Sequence, residues 1–264
     1  MPEAPQTSSG LVEEKALMAE FGQNVSSRLA RLAQFAQDGG LDPAVTILAE
    51  AVAAGGVIHA FGTGHSEAFA MEIAGRAGGL IPTNRITLRT LVLRGGYDAS
   101  VLSGSELERN PDVVTDLLNL FRIEPQDVFL IASNSGVNGS IVELAQQIKA
   151  RGHQLIAVTS LEHTTAVHPK HSSGKRLSEV ADVVIDNLAP YGDATVTTPG
   201  GIGVGAVSSI TAAYIAQLLT IATTQRLAAS EAIPPVYISA NIPEGDAHNH
   251  ALEALYDGRI HQGG

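Results

Sequence analysis

The chain contains no cysteine and no tryptophan. The missing cysteine removes disulfides, thiolate zinc sites and a thiol nucleophile. Basic residues are the scarcer charge: 16 Lys and Arg stand against 27 Asp and Glu, a formal net charge of −11. A nucleic-acid partner needs clustered Lys and Arg, so none is expected, although a local basic pocket for one phosphate is compatible with this balance. The N-terminus, MPEAPQTSSG, lacks the basic and apolar regions of a signal peptide. Residues 1–10 are expected as a short flexible tail, and the cytoplasm as the compartment. With 44% hydrophobic residues over 264 positions, the chain has enough apolar material for a sizeable core.

One long uncharged stretch tests that reading. No charge occurs between Asp193 and Arg226, which is long enough to cross a bilayer. The stretch carries Ser208, Ser209, Thr211, Gln217, Thr220, Thr223 and Thr224. Polar groups are costly in lipid, so a helix over 202–228, buried between layers or subunits, is expected instead of a membrane span.

Apolar periodicity predicts two N-terminal helices within residues 11–55. The first covers 11–37, and the second opens at Asp42-Pro43, read as an N-cap followed by Pro at N1. From residue 56 to 264, short β-branched segments alternate with helical ones. Strands are expected in GVIHAFGTG, RITLRTLVLR, QDVFLIASNSG, HQLIAVTS and ADVVIDN. Helices are expected at 65–78, 111–121 (with Asn110 as a possible N-cap), 138–151 and 177–181. Strands apolar on both faces, each followed by a helix, predict an α/β fold with a parallel sheet covered on both sides.

In such a sheet ligands bind beyond the carboxyl ends of the strands. Three of these ends carry similar chemistry: Gly62-Thr63-Gly64-His65-Ser66, Ser133-Asn134-Ser135-Gly136 and Thr159-Ser160. Glycine lets backbone N–H groups approach an oxyanion, and the hydroxyls donate further hydrogen bonds. A dinucleotide does not fit, because Glu67 stands where the third fingerprint glycine belongs and no acid lies between Glu72 and Asp98. A P-loop does not fit either. Arg176 follows Gly174-Lys175 where Ser or Thr is needed, and Pro169 replaces the first glycine. One phosphate-sized site shared by the three loops is the remaining reading.

These residues carry a resemblance. FGTGHSEAFAMEIAGRAG and FLIASNSGVNGSIVELAQQIKARGHQLIAVTS are similar to the sugar isomerase (SIS) domain. The similarity runs from about Gly56 to Arg226, its most specific part being the loop Ser133-Asn134-Ser135-Gly136. HSSGKRLSEVADVVIDN resembles the family's third segment, and APYGDA, GAVSSI and SANIPEGDAHN resemble a phosphoheptose-isomerase-like branch. The resemblance implies a doubly wound, three-layer, five-stranded parallel sheet in flavodoxin-like order. It also implies a homodimer or homotetramer with sites near subunit interfaces. By the same resemblance Ser66, Ser133, Ser135 and Ser160 would contact a sugar phosphate. Asn138 would stand in for a hydroxyl residue, with Gly64 and Asn134 in the same loops.

Aldose–ketose isomerisation needs a base to move a proton between C1 and C2, and a group to move protons between the oxygens. It needs no cofactor, and none is expected. The acid–base candidates are Glu72, His65, Asp193 and His248, the last beside Asn249 in a C-terminal segment. Two departures from the family pattern stand out. Gly203 lies near the place where aminosugar-phosphate isomerases carry a Glu. Glu72 and Arg76 occupy the positions where phosphoheptose isomerases carry zinc-binding residues. His163, His168 and His171 form a His-rich segment, but Pro169 breaks any common face and no metal is expected. Lys170, Lys175 and Arg176 are candidates to bring positive charge to an acidic ligand. The function expected is an isomerase acting on a sugar phosphate through an enediol. The alternatives are a non-catalytic sugar-phosphate sensor, or a lyase or deglycase on a substituted sugar phosphate.

Overall fold

The computed structural model describes residues 8–229, 233–256 and 258–261, with side chains from residue 12 onward. Residues 1–7, most of the expected tail, lie outside the described residues. The first helix begins at Ser8 instead of residue 11.

Five strands form the central sheet: β1 (Ile58–Gly62), β2 (Thr83–Ile86), β3 (Val128–Ala132), β4 (Gln154–Thr159) and β5 (Val183–Asp186). All pairings are parallel, in the order β2-β1-β3-β4-β5. This is the expected flavodoxin-like order. The alternation of side chains along each strand builds two cores. Ile58 and Ala60 of β1, Leu130 of β3 and Ile156 of β4 face one layer. Phe61, Phe129, Ile131 and Leu155 face the other.

The first layer holds α1 (Ser8–Gln37), α2 (Asp42–Ala53) and α3 (Glu67–Ile73). Asp42 is the first residue of α2, and Leu41 occupies the cap without a side-chain bond. Two short helices, α4 (Thr90–Leu93) and α5 (Glu106–Arg109), follow β2. The second layer is built mainly from α6 (Val113–Asn119) and α7 (Gly139–Ala150). After β4 come α8 (Leu161–Ala166) and then β5.

Two expectations are corrected here. The strand read over RITLRTLVLR is the four-residue β2, shifted toward Thr83. Its pairing with β1 runs from Ile58 to Phe61, in register with Thr83 to Ile86. Beyond Ile86 the chain turns into α4. The helix expected from 202 starts at Ser208, because residues before it form an antiparallel hairpin. This hairpin joins β6 (Ala194–Thr197) to β7 (Gly203–Ala206), with Ala194 opposite Ala206. The helix itself, α9 (Ser208–Ala228), packs on α1, α2 and α3, burying Thr211, Thr220 and Thr223. No described helix is long and apolar enough to cross a membrane.

The last segment, with α10 (Gly245–Glu253), closes the opposite end of the sheet. Gly78, Gly79 and Ile81, which lead into β2, bond backbone to backbone with Pro235 and Tyr237. Arg259 reaches back to pair with the buried carboxylate of Asp127, and also donates to Gly55 O at 2.7 Å. Asp127 accepts from Val57 N and Glu124 N, each at 2.8 Å, and lies 3.2 Å from His59 Nε2. His59 is fully buried and stacks on Phe129. Burial pushes its pKa below the ordinary histidine value, against the pull of Asp127. Burial alone would raise the Asp127 carboxyl. The hydrogen bonds from His59 and the backbone outweigh it and hold the carboxyl below its usual range.

Candidate active site

The carboxyl ends of β1, β3 and β4 bring the expected loops to one edge. Gly62 ends β1 with no room for a side chain: a β-carbon there would lie 2.3 Å from Ser66 O. The tight return carries Gly64, His65 and Ser66 over the strand end, and α3 begins at Glu67. After β3, Ser133 Oγ accepts from Gly136 N at 3.1 Å. Asn134 is held from β4, its carbonyl accepting from Ser160 N at 3.3 Å. Asn138 occupies the N-cap of α7 with its side chain turned away from the helix N–H groups.

Two concavities border these loops. A small recess lies between His65, Ser66, Ser133, Asn134 and the start of α9 at Ser208 and Ser209. Beside it opens a cleft of about 510 Å³. Gly62 to His65 form its floor, Leu88, Leu102 and Leu107 its apolar walls, and Glu67, Arg89 and Glu108 its charged groups. His65 lines both concavities and so joins them.

The other acid–base candidates are not brought to this cleft. Glu72 pairs with Arg76 one turn on, and accepts from Gln217 Nε2 of α9 at 2.9 Å. Asp193 caps α9. Its Oδ1 accepts from Val207 N at 3.1 Å and Ser208 N at 2.8 Å, and its Oδ2 from Ser208 Oγ at 2.7 Å. His248 lies on α10, where its Nε2 meets Val236 O at 3.0 Å. That contact is at the amino-terminal edge of the sheet, a strand length of roughly 17 Å from the loops.

The hydroxyls divide in the same way. Ser66, Ser133, Ser135 and Asn138 lie on the loops at the carboxyl edge. Ser160 is fully buried, gives its hydroxyl hydrogen to Ala189 O at 2.6 Å, and accepts from His163 N at 2.9 Å. It caps α8 and has no proton left for a ligand. Among the three cations, Lys170 reaches the loops, its Nζ donating to Asn138 Oδ1 at 3.2 Å. Arg176 instead donates to Thr164 O and Val167 O, each at 2.9 Å. The histidines of 163–171 are separated. His163 accepts from Gly192 N at 3.1 Å, while His171 meets Glu143 at 2.9 Å. No metal-binding cluster occurs among the described residues.

Sequence reading missed Arg89 and Glu108. Arg89 was hidden inside an overlong strand. Glu108 sits in SGSELERNP, whose Gly and Asn-Pro turn signals mark a loop but give no hint that it folds over the β1 end.

Residues 20–160 match the SIS domain family. The chain belongs to that family. It is 38% identical to the UPF0309 protein lmo0025 of Listeria monocytogenes, over 82% of this chain and 88% of that one. It is 32% identical to the UPF0309 protein GK1441 of Geobacillus kaustophilus, over 92% of this chain and 96% of that one. Among solved structures it is similar to phosphoheptose isomerase GmhA from Neisseria gonorrhoeae. The TM-score there is 0.47 at 17% identity, covering 82% of this chain and 98% of that one. It is also similar to E. coli CFT073 c3406 in complex with A5P, with a TM-score of 0.49 at 16% identity, over 84% of this chain and 93% of that one.

Proposed function

We propose that this SIS-domain chain binds a phosphorylated sugar at the carboxyl edge of its sheet and interconverts the aldose and ketose forms through an enediol. The observation that carries this reading is the convergence of the Gly62–Ser66 and Ser133–Asn138 loops beside a cleft large enough for a monosaccharide. Ser66, Ser133, Ser135 and Asn138 hold the phosphate with backbone N–H groups of the Gly64 loop, and Lys170 adds positive charge beside Asn138. The sugar extends into the cleft, where His65 moves protons between its oxygens.

Binding and chemistry are tested separately. Aldose and ketose phosphates of five to seven carbons are titrated against the protein by calorimetry. The same mixtures in deuterated water are followed by NMR for exchange at C1 and C2. The reading expects binding that Ser133→Ala and Ser135→Ala weaken, together with exchange. Affinity unchanged in both variants would refute the phosphate site.

A sensor without catalysis is the second reading. It is favoured by Glu72, Asp193 and His248 being tied into the fold away from the cleft. Binding with no exchange for any sugar would establish it.

The proposed assembly is a homodimer or homotetramer. Ile210 and Ile221 are exposed on one face of α9, three turns apart, and Met71 is exposed on neighbouring α3. Equilibrium sedimentation of the whole chain tests it, and a monomer at micromolar concentration would refute it.

A further inference from the structure

We propose that Glu108 is the catalytic base of this site, a role that rests on the isomerase reading above. The carboxylate belongs to α5, a single turn locked in place from several directions. Leu107 is buried in the core under α7. The next carbonyl, Arg109 O, lies 2.1 Å from where a β-carbon on Gly139 would stand, so only glycine lets α5 approach α7 this closely. Ser140 Oγ donates to Glu108 O at 2.7 Å. The backbone on both sides of the carboxylate is thereby fixed.

The side chain is also oriented. Asn138 Nδ2 donates to Glu108 Oε1 at 3.3 Å, and Lys170 Nζ holds the other end of the same amide. Oε2 is the free oxygen. It points at the β1 loop, 3.5 Å from where a β-carbon on Gly64 would lie. Glu108 lines the cleft with His65 and Arg89. An anion cradle gains nothing from a carboxylate at its rim, because like charges repel. A base beside a bound sugar phosphate does need one, held rigidly and with one oxygen open.

The step balances without an oxidant or cofactor. Glu108 takes the proton from C2 of the open-chain aldose. The electrons of the C–H bond form the C1–C2 double bond, and the carbonyl electrons move to O1, which receives a proton from His65. The enediol then gives its O2 proton to His65 as the C2 carbonyl forms, and Glu108 returns its proton to C1. Arg89 lies where it can stabilise the negative charge that builds on the oxygens.

The test compares wild type with Glu108→Gln, an isosteric change that retains a partner for Asn138. Inorganic phosphate is the binding probe, and the sugar phosphate that wild type exchanges is the kinetic probe. Rates are expressed per phosphate-binding site, so a partly unfolded sample does not mislead. Exchange and turnover are expected to fall by about 10²–10⁴-fold, with phosphate affinity unchanged or tighter. Glu108→Asp, which keeps a carboxylate on a shorter arm, should recover part of the rate. Exchange by E108Q at the wild-type rate overturns the assignment and leaves the isomerase reading standing. A wild-type protein that binds sugar phosphates and exchanges none overturns that reading, and this assignment with it.

Discussion

The carbonyl oxygen of Arg109 sits 2.1 Å from the point a β-carbon on Gly139 would occupy. One missing methyl therefore sets the distance between α5 and the start of α7. Gly139→Ala should push α5 outward and carry Glu108 away from the Gly64 loop. Overpacking of this kind costs about 1–3 kcal/mol, measurable by chemical denaturation. Ligand turnover should fall more than phosphate binding, since the serine loops are not displaced directly. A variant with wild-type stability would show that α5 yields freely.

Asp127 makes a second prediction. Its carboxylate is fully buried and serves His59, Arg259, Val57 N and Glu124 N together. Asp127→Asn leaves the Arg259 guanidinium without its counter-charge. Breaking a buried pair from one side costs about 3–5 kcal/mol. Thermal unfolding checks this, and a loss comparable with that of an exposed ion pair would refute it.

The same cluster sets a pH dependence. The folded His59 has a pKa below the ordinary value of 6.5, chiefly through burial, and His261 is lowered for the same first reason, with Arg94 adding to it. Below about pH 6.5 the unfolded chain takes up protons that the folded chain refuses. Stability is therefore full above that pH and declines as the pH falls toward the folded values. The depressed Asp127 carboxyl acts at lower pH, below about 3.9, where the unfolded carboxyl protonates first. Melting temperatures between pH 8 and 5 should be flat at first and then fall. His59→Gln should lessen the fall, and an unchanged slope in that variant would assign the effect elsewhere.

Asp193 adopts a left-handed backbone, φ 69°, while capping α9. Asn tolerates that conformation and keeps an acceptor, whereas Ala offers neither. Asp193→Ala should cost about 1–2 kcal/mol, the upper range for a lost cap, and Asp193→Asn clearly less. Denaturation of the two variants compares them directly, and equal losses would refute the capping account.

Much of this fold was legible in sequence because its strands are apolar on both faces and end in glycine and serine. β1, β3 and β4 were placed by that pattern, and with them the loops at Gly62 and Ser133. β2 was misjudged because RITLRTLVLR has strand-like composition throughout, while its length is set by pairing with β1. β7 was read as the start of the 202–228 helix, and β6 was not read as a strand, because the glycines between and within them give no periodic signal. At the site, Ser160 and Asp193 were picked out for their chemistry, but helix-cap bonds from His163, Val207 and Ser208, and the Ser160 hydroxyl bond to Ala189 O, engage them. Residue type announces a hydrogen-bonding capacity without saying what uses it. Glu108 went unnoticed for the converse reason. Its importance comes from a contact between α5 and α7 that pairs residues 32 apart.

The pairing of Arg259 with Asp127 joins residues 132 positions apart. A ribosome adding about 5–20 residues per second makes the arginine roughly 7–26 s after the aspartate. Through that interval the carboxylate at the foot of β3 must wait, hydrated or held only by His59 and the backbone. The sheet is complete in sequence by Asp186, yet its lower edge is sealed only once Arg259 has been made. A nascent chain stalled before residue 259 should therefore resist protease less well than the released protein.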